Sequence, residues 1–333
     1  MGDDNYVVTV GYGTPVREFT VNFDTGSSRS WIQCKPCTSC YTQQDPIFDP
    51  SASSSYANIA CGATQCTQSS DTNCSASGCA YSVPYVDGST TKGNLATETL
   101  TLTPDDVFTD FAFGCGEDNE GPFRGSAGLL GLGRGYGSLV QQTSATFGWV
   151  FSYCLPSSRS STGFLTFGSA DDSTTSTPLL SQPTQDLYNV GLSGISVNGQ
   201  NLGIPPSVFS TAGTIVDSGT VITRLPSGAY DALRSAFQAG MSKYPTAPGN
   251  SLFDTCYDVS NYDTVPTVTL HFDGGADLEV DKSGILFTES GVSCLAFAAA
   301  TGVGIIGNTQ QKTVEVVYDV GAGRLGFRPG ACT

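Results

Sequence analysis

The chain has 333 residues, and its 30 acidic and 14 basic residues give a formal net charge of −16. A nucleic-acid binder needs clustered Lys and Arg to neutralise phosphates, and an anionic membrane surface repels an acidic protein, so neither is an expected partner. Hydrophobic residues make up 39% of the chain, which is enough to fill a core and excludes global disorder. The length suits two lobes of about 150 residues each.

Short β-branched and aromatic runs, separated by Gly, Pro, Asp and Asn turns, predict an all-β fold with few short helices. The clearest predicted strands are residues 6–10, 19–23, 100–102, 267–272 and 314–318. The 40 glycines of the chain agree with many turns between short strands.

Only two stretches predict helices. One spans residues 138–147, and the other spans residues 227–244. The second places Leu233, Phe237 and Met241 on one apolar stripe, and the Pro-Ser pair at its start offers an N-cap.

Two polar stretches interrupt the strands. Residues 169–185 are rich in Ser, Thr, Asp and Pro and predict a connection between an N-terminal lobe, residues 1–175, and a C-terminal lobe, residues 176–333. Residues 34–79, the cysteine-rich insert, have little apolar periodicity and seven cysteines, so they need covalent cross-links. The chain opens Met1-Gly2 with no secretory h-region, from which we expect a mature core whose leader is missing.

Twelve cysteines form an even set, as an oxidised secreted protein requires. Nine precede the predicted boundary and three follow it, so both counts are odd. If every cysteine is oxidised within the chain, at least one disulfide must cross between the lobes, and one cysteine of the insert must pair outside it. The full connectivity stays open from spacing alone. Cys34-x-x-Cys37-x-x-Cys40 also fits a zinc or redox motif, but the even, acidic chain favours disulfides.

Three features occur in the same order in both halves, which predicts duplicated lobes. An aromatic strand-like run precedes Asp24 in the first half and Asp217 in the second. Each aspartate is later followed by two aliphatic residues and a glycine, Leu129-Leu130-Gly131 and Ile305-Ile306-Gly307.

The two aspartates stand in matching motifs, Asp24-Thr25-Gly26-Ser27 and Asp217-Ser218-Gly219-Thr220, each at the end of a strand-like run. If the lobes meet about a two-fold axis, the two carboxylates become neighbours. Two adjacent carboxylates cannot both ionise easily, so they share one proton. One then acts as a base on a bound water and the other as an acid toward a carbonyl oxygen. Asp24 and Asp217 are therefore the predicted catalytic pair.

The other residues of the motifs are small. The hydroxyl residues are predicted to support the pair: Thr25 and Ser218 by tying the two loops together, Ser27 and Thr220 by bonding the outer carboxylate oxygens. Gly26 and Gly219 let a substrate backbone approach closely.

With these motifs the chain resembles the pepsin-like aspartic proteases over nearly its whole length. Within them it resembles the plant nepenthesin-type group, including its chloroplast nucleoid DNA-binding protease-like members. The matching segments are Asn5-Tyr6, Gly11-Tyr12-Gly13-Thr14-Pro15, the two aspartate motifs, Trp31, the cysteine-rich insert, Tyr85-Val86-Asp87-Gly88-Ser89, Gly128-Leu129-Leu130-Gly131-Leu132-Gly133 and Ile305-Ile306-Gly307-Asn308. The resemblance implies a bilobal β fold with pseudo-two-fold symmetry and a cleft between the lobes. The saposin-like insert of typical plant members has no room in the second half.

The resemblance also implies a β-hairpin flap at about residues 80–95. Tyr85 would be its substrate-binding tyrosine, with Asp87 and Gly88 near the tip and Trp31 supporting the tyrosine. Independently, the Val-Asp-Gly-Ser turn after Tyr85 is a hairpin signal.

The family pattern further suggests six disulfides, of which one leaves the insert through Cys40 and one crosses between the lobes. The suggested pairs are Cys34–Cys37, Cys40–Cys115, Cys61–Cys79, Cys66–Cys74, Cys154–Cys332 and Cys256–Cys294.

Arg29 and Arg124 depart from the pattern. Arg29 stands where a neutral or acidic residue is expected, and Arg124 stands in a glycine-rich stretch. Each is interpreted as a surface charge or as a change at the cleft entrance. Asn73-Cys74-Ser75 is the only N-glycosylation sequon, and the cysteine in its middle argues against its use.

The resemblance implies an aspartic endopeptidase that acts at acidic pH, prefers apolar residues around the scissile bond and needs no metal or cofactor. Its implied partners are peptide or protein substrates and pepstatin-like inhibitors, and it is expected to be a monomer. The cysteines predict secretion to the apoplast or vacuole, with a plastid as the alternative.

The main alternative is a catalytically silent binding protein. Plant xylanase inhibitors resemble this fold and cysteine framework but have lost dyad function. The intact aspartate motifs and Tyr85 favour the protease.

Other chemistries are disfavoured by the sequence. Ser-His-Asp hydrolysis needs a histidine base, and the only histidine, His271, alternates within a strand-like run, which indicates a structural role. Gly302-x-Gly304-x-x-Gly307 matches a dinucleotide-binding pattern but lacks the βαβ context.

Overall fold

The computed structural model describes residues 5–76, 78–158, 160–169, 175–181, 186–210, 213–250, 252–258, 264–289 and 291–332. The chain divides into two compact units, Asn5–Thr146 and Phe147–Thr333, called here the N-terminal and C-terminal units. Each is built mainly from β-strands, which confirms the predicted all-β class.

The N-terminal unit contains one large sheet with the strand order β1-β2-β9-β3-β8-β7-β6-β5, and β4 pairs with β7. Its strands are β1 (Val7–Tyr12), β2 (Arg17–Asp24), β3 (Trp31–Gln33), β4 (Ala57–Asn58), β5 (Thr72–Ser75), β6 (Gly78–Pro84), β7 (Thr90–Thr101), β8 (Val107–Glu120) and β9 (Gly128–Gly131). Its helices are a 3-10 turn (Pro50–Ala52), α1 (Thr64–Thr67), α2 (Leu139–Gln142) and α3 (Ser144–Phe147), the last ending at the boundary.

The C-terminal unit contains four smaller sheets, with the orders β11-β10-β26-β27-β12, β13-β16-β25-β17-β24, β15-β14-β20-β21 and β18-β19-β23-β22. Its strands are β10 (Val150–Cys154), β11 (Phe164–Phe167), β12 (Ser176–Pro178), β13 (Asn189–Val190), β14 (Leu192–Val197), β15 (Gln200–Asn201), β16 (Thr214–Val216), β17 (Thr223–Pro226), β18 (Thr246–Ala247), β19 (Cys256–Tyr257), β20 (Val268–Phe272), β21 (Asp277–Glu279), β22 (Leu286–Glu289), β23 (Val292–Leu295), β24 (Phe297–Ala300), β25 (Gly304–Ile306), β26 (Glu315–Asp319) and β27 (Arg324–Arg328). Its helices are α4 (Pro206–Ser210), α5 (Ser227–Gly240), α6 (Lys282–Ile285) and two 3-10 turns (Asp273–Gly275 and Asn308–Gln311).

All five predicted strands are present, and in four of them the ends are shifted by no more than two residues. The exception is the segment 100–102, which overlaps only the last residues of the twelve-residue strand β7. The prediction that the cysteine-rich insert is irregular is partly wrong, because β4, α1 and β5 lie within it. Their apolar residues are few, so periodicity alone could not show them.

Helices are present at both predicted places, but they are shorter than predicted. Leu233, Phe237 and Met241 are all fully buried, as the apolar stripe requires. Helix α5 ends at Gly240, and the residue before its start is Pro226, which makes no side-chain cap hydrogen bond. The predicted helix 138–147 is instead two short helices, α2 and α3.

The two compact units divide between residues 146 and 147, while the predicted lobe boundary near residue 175 stays a prediction. Strand β10 pairs with β26, and β11 pairs with β10, so both strands belong to a sheet of the C-terminal unit. Sequence composition could not show this, because strand pairing over more than a hundred residues leaves no local signal. Of the predicted connection, residues 170–174 and 182–185 lie outside the described residues.

All twelve cysteines are paired, but four of the six suggested pairs are wrong. The disulfides are Cys34–Cys115, Cys37–Cys40, Cys61–Cys74, Cys66–Cys79, Cys154–Cys332 and Cys256–Cys294. The last two were suggested correctly. The suggested pairs Cys34–Cys37, Cys40–Cys115, Cys61–Cys79 and Cys66–Cys74 do not form.

Strand pairing explains the exchange of partners. Strand β3 runs parallel to β8 with Ile32 opposite Cys115, and Cys34 follows two residues later, fully buried. Cys34, and not Cys40, is therefore the cysteine that pairs outside the insert. Cys154 and Cys332 both belong to the C-terminal unit, so this disulfide does not cross between the two compact units. It does join residues on either side of the predicted lobe boundary near residue 175, as the suggested pairing required.

Within the part of the chain that the structure describes, no helix is both long and apolar enough to cross a membrane. The same part holds no group of three or more His, Cys, Asp or Glu side chains arranged to bind a metal ion.

Candidate active site

The first aspartate motif lies where β2 ends. Asp24 is the last residue of the strand, and its side chain is only 8% exposed. The Gly26 N–H donates to Asp24 Oδ1 at 2.8 Å, and the Ser27 hydroxyl donates to Oδ2 at 2.5 Å. Both carboxylate oxygens therefore have a donor from the turn that follows, which compensates for part of the cost of burying a charge.

The second aspartate motif has the same geometry in the C-terminal unit. Asp217 follows β16 and is also 8% exposed. The Gly219 N–H donates to Asp217 Oδ1 at 2.8 Å, and the Thr220 hydroxyl donates to Oδ2 at 2.6 Å. Two motifs far apart in sequence thus hold their carboxylates by the same pair of bonds.

The aliphatic-aliphatic-Gly segments are the parallel neighbours of the aspartate strands. In the N-terminal unit β2 pairs with β9, and Asp24 lies opposite Gly131. A Cβ at Gly131 would lie 2.6 Å from the backbone of Ser28, so the loop after Asp24 crosses this strand where no side chain fits.

The C-terminal unit repeats this crossing. Strand β16 runs parallel to β25, and the Asp217 N–H donates to the Ile306 carbonyl at 3.0 Å. A Cβ at Gly307 would lie 2.5 Å from the backbone of Ile222. The glycine that ends each segment is therefore required by the close passage of the aspartate loop.

The flap residues form a tight hairpin between β6 and β7. The Gly88 N–H donates to the Tyr85 carbonyl at 3.0 Å, and Gly88 has a φ of +87°, a conformation that favours glycine. The Asp87 carboxylate accepts the Ser89 N–H at 2.9 Å and the Ser89 hydroxyl at 2.5 Å. Asp87 thus stabilises the turn itself, and Val86 projects fully into solvent.

Tyr85 packs against the core of the N-terminal unit. Its hydroxyl oxygen accepts the Trp31 Nε1–H at 2.7 Å, and its ring meets the Phe123 ring edge-on at a centroid distance of 6.0 Å. Burial and, next, the nearby Asp24 carboxylate hold the pKa of Tyr85 well above its ordinary value. The hydroxyl therefore keeps its own proton and can donate it. Trp31 is fully buried, as its predicted supporting role requires.

The residues predicted to tie the two loops, Thr25 and Ser218, are both buried. That their hydroxyl groups link the two aspartate loops by hydrogen bonds stays a prediction.

Asn73, in the glycosylation sequon, is exposed on β5. Arg124 has a φ of +55°, a left-handed conformation that is uncommon for residues other than glycine. Its position in a glycine-rich stretch does not explain this conformation.

Arg29 is not a surface charge. It is 4% exposed, and its guanidinium forms a bidentate ion pair with Asp71, with Nε and one terminal nitrogen each 2.7 Å from a carboxylate oxygen. Asp71 lies in the cysteine-rich insert between α1 and β5. The flanking hydroxyls of Ser28 and Ser30 accept the N–H groups of Gly135 and Gly131 at 3.0 Å each.

Sequence reasoning missed the residues that support the second loop. The Gln311 side-chain amide donates to the Asp217 carbonyl at 3.2 Å and to the Ile306 carbonyl at 2.8 Å, and it accepts a hydrogen bond from the Tyr153 hydroxyl. The Asn308 amide donates to the Ser218 carbonyl at 3.0 Å. A polar run, Asn308–Gln311, directly after an apolar strand was the available signal, since such residues are usually exposed and here are buried.

Two units that each present a buried aspartate on a crossed pair of parallel strands define the pepsin-like aspartic protease class. Two family models, described as Xylanase inhibitor N-terminal and Xylanase inhibitor C-terminal, match residues 6–169 and 187–329. The chain belongs to the pepsin-like plant aspartic proteases and is an aspartic-type endopeptidase.

Relatives with curated names support this assignment. The chain is 50% identical over 340 residues to Aspartyl protease AED1 of Arabidopsis thaliana, covering 100% of this chain and 73% of the relative. It is 42% identical over 345 residues to Protein ASPARTIC PROTEASE IN GUARD CELL 2 of the same plant, covering 99% and 73%. It is 39% identical over 349 residues to Aspartic proteinase nepenthesin-2 of Nepenthes gracilis, covering 99% and 78%.

Proposed function

We propose that Asp24 and Asp217 act together as the catalytic dyad of an endopeptidase that works at acidic pH. The observation that carries the proposal is the matched geometry of the two carboxylates. Each accepts one backbone N–H and one hydroxyl from its own loop, at 2.5–2.8 Å, and each is equally buried. Two carboxyl groups that interact closely titrate as a pair, and such a pair can share one proton.

The proposed reaction uses both protonation states. The ionised carboxylate takes a proton from a bound water, which attacks the peptide carbonyl carbon. The protonated carboxylic acid gives its proton to the carbonyl oxygen, which yields a neutral tetrahedral intermediate. Transfer of a proton to the amide nitrogen then breaks the C–N bond. Because one carboxyl group must stay protonated, the reaction is favoured at acidic pH.

The residues around Tyr85 support a preference for apolar side chains near the scissile bond. Trp31, Phe123 and Leu129 form a buried cluster, against which Tyr41 and Tyr85 pack. A peptide that binds in extended form below the flap would meet the partly buried tyrosines of this cluster, and burial of an apolar side chain against them would add to binding.

The alternative is a catalytically silent binding protein, because the matching family models carry the description of a xylanase inhibitor. The hydrogen bonds that hold both aspartates and the presence of the flap tyrosine argue against this alternative. Peptide and protein substrates, inhibition by pepstatin-like compounds and a monomeric state all belong to the proposed function.

The six disulfides support secretion to an oxidising compartment, the apoplast or the vacuole, although a plastid location is the alternative. The net charge of −16 argues against nucleic acid or a membrane as partner.

The test is hydrolysis of denatured globin between about pH 3 and 5, with and without pepstatin. We expect cleavage that pepstatin blocks and that Asp24→Asn and Asp217→Asn each reduce by at least about 1,000-fold. Ser193→Ala, a substitution of an exposed residue in another sheet, is the control for the preparation of variant proteins. No cleavage, or cleavage unaffected by pepstatin and by both substitutions, would establish the binding-protein alternative.

A further inference from the structure

A serine, a histidine and an aspartate meet on three neighbouring strands of the C-terminal unit, in a different sheet from the strand that leads to Asp217. Ser196 lies on β14, His271 on β20 and Asp277 on β21. Ser196 Oγ is 2.7 Å from His271 Nε2, and Asp277 Oδ1 is 2.7 Å from His271 Nδ1. The only histidine of the chain is therefore held between a hydroxyl and a carboxylate.

The strand register brings the three side chains to one face. His271 pairs with Gly194 on β14 and with Asp277 on β21, while Ser196 lies two residues farther along β14 than Gly194. The alternate residues of β20, such as Leu270, are buried in the core. His271 and Asp277 thus lie on the outer face, where the imidazole side chain is 27% exposed and the carboxylate 52%, while Ser196 is only 6% exposed.

The order of the atoms determines the direction of the hydrogen bonds. An ionised Asp277 can only accept, so His271 Nδ1 carries the proton of the neutral ring. Nε2 then has a free lone pair and accepts the proton of Ser196. This is the arrangement in which a carboxylate fixes the tautomer of a histidine that serves as base for a serine hydroxyl.

An amide donor borders the same place. Asn201 is directly opposite Ser196 in the β14–β15 pair, and its Oδ1 accepts the Gly203 N–H at 2.8 Å. Its Nδ2 lies 3.4 Å from the point where a Cβ of Gly194 would be, and His271 Cδ2 lies 3.5 Å from that point. Because residue 194 is glycine, the imidazole and the amide border a small notch about the size of a methyl group.

We propose that Ser196, His271 and Asp277 form a second nucleophilic site, which accepts short acyl groups from activated esters, with Asn201 as donor to the developing oxyanion. Ser196 Oγ bonds to the ester carbonyl carbon as its proton passes to His271 Nε2. The carbon–oxygen bond to the leaving group breaks, and the leaving alcohol takes that proton. Water, deprotonated by the same nitrogen, then releases the acid and restores Ser196. This site does not depend on the proposed dyad.

The first test is covalent labelling with a small fluorophosphonate at about pH 8. Attack by Ser196 Oγ on phosphorus expels fluoride, and the serine proton leaves with His271 as acceptor. We expect one adduct, mapped to the peptide that contains Ser196 by mass spectrometry. The Ser196→Ala variant should show none, and His271→Gln should slow labelling at least about 100-fold.

Ser193→Ala is the matched control, because Ser193 is an exposed serine on the same strand, and its hydroxyl donates to the backbone carbonyl of His271 at 3.1 Å. Its labelling rate should equal that of the wild type. Each variant is checked for an unchanged thermal unfolding midpoint, and p-nitrophenyl acetate hydrolysis gives a second readout with the same expected ranking.

Asp277→Asn distinguishes a working triad from a merely structural cluster, because the amide removes the charge but keeps the shape. We expect about tenfold or more slower labelling with unchanged folding. Labelling that persists in Ser196→Ala, or that is absent in the folded wild type, overturns the proposal.

Discussion

The loops that carry Asp24 and Asp217 hold their carboxylates by the same bonds, yet different side chains brace the two loops. The N-terminal loop is braced by a buried ion pair, Arg29–Asp71, that reaches into the cysteine-rich insert. The C-terminal loop is braced by neutral amides, with Gln311 bonded to the Asp217 carbonyl. The bonds that touch the carboxylates are thus common to both halves, while the support behind them is specific to each.

This difference has energetic consequences. Removing one partner of a buried ion pair leaves an uncompensated charge, which costs more than leaving a neutral donor or acceptor unpaired. The N-terminal loop should therefore be the more vulnerable of the two to a single substitution in its brace. Two substitutions test this, and a third, at an exposed ion pair, gives the scale for a surface contact; they follow in order of decreasing effect.

The largest effect is expected for Arg29→Met, which keeps the length of the side chain but removes its charge. The Asp71 carboxylate, 22% exposed, loses both of its hydrogen bonds to the guanidinium. We expect the free energy of unfolding to fall by about 3 kcal/mol, the lower end for a broken buried pair, because Asp71 keeps some contact with water. Urea unfolding of the full chain measures it.

The control is the exposed pair Lys35–Asp49 in the same unit, whose nitrogen and oxygen are 3.4 Å apart. Lys35→Met should leave the free energy of unfolding nearly unchanged, because both side chains of this pair are solvated. If Arg29→Met costs no more than this surface substitution, the ion pair is not the brace of the N-terminal loop.

A smaller effect is expected for Gln311→Leu in the C-terminal loop. The substitution leaves the carbonyls of Asp217 and Ile306 and the Tyr153 hydroxyl without their amide partner, at a cost of about 2 kcal/mol. Globin hydrolysis should show a fall in kcat with little change in KM, because the loop that carries Asp217 loses its support. Gln200→Leu, an exposed glutamine on β15, is the control and should change stability by less than about 0.5 kcal/mol. A cost larger than that of Arg29→Met would reverse the proposed ranking of the loops.

The smallest effect is expected at Asp254, where the C-terminal unit has an exposed ion pair with Arg234 at 3.0 Å. Burial raises the pKa of Asp254, but hydrogen bonds from Tyr230, Thr255 and Arg234 lower it by more, so its pKa is below the ordinary value. The stabilisation is present above the unfolded pKa and is lost as the pH falls through the folded pKa.

Asp254→Asn should therefore destabilise the protein by less than about 1 kcal/mol at pH 6, and the difference from the wild type should vanish as the pH falls through the lowered pKa of Asp254. Unfolding followed across this pH range is the measurement. A difference that grows toward acid would contradict the lowered pKa.

The sequence was sufficient for features whose signal is local or repeated. Asp24 and Asp217 stand in motifs that recur with the same neighbours, and each aliphatic-aliphatic-Gly segment pairs with its aspartate strand. The stripe of α5 follows from helical periodicity alone.

The features that the sequence did not predict depend on contacts between distant residues. The sequence leaves two interpretations open for Arg29, because its ion-pair partner, Asp71, is 42 positions away along the chain. Cysteine spacing could not distinguish Cys74 from Cys79, which lie directly opposite each other on β5 and β6 and bond to different partners. Ser196 carries no motif, and only the strand register brings it to His271.

The disulfide connectivity has a consequence for how the chain matures during synthesis. All eight cysteines of the N-terminal unit find partners within that unit, so its four cross-links can close while the ribosome is still making the rest. The C-terminal unit cannot do this, because Cys154 must wait for Cys332, which is 178 residues later. A nascent chain halted before Cys332 would therefore be oxidised in its N-terminal unit and would still carry a reactive thiol at Cys154.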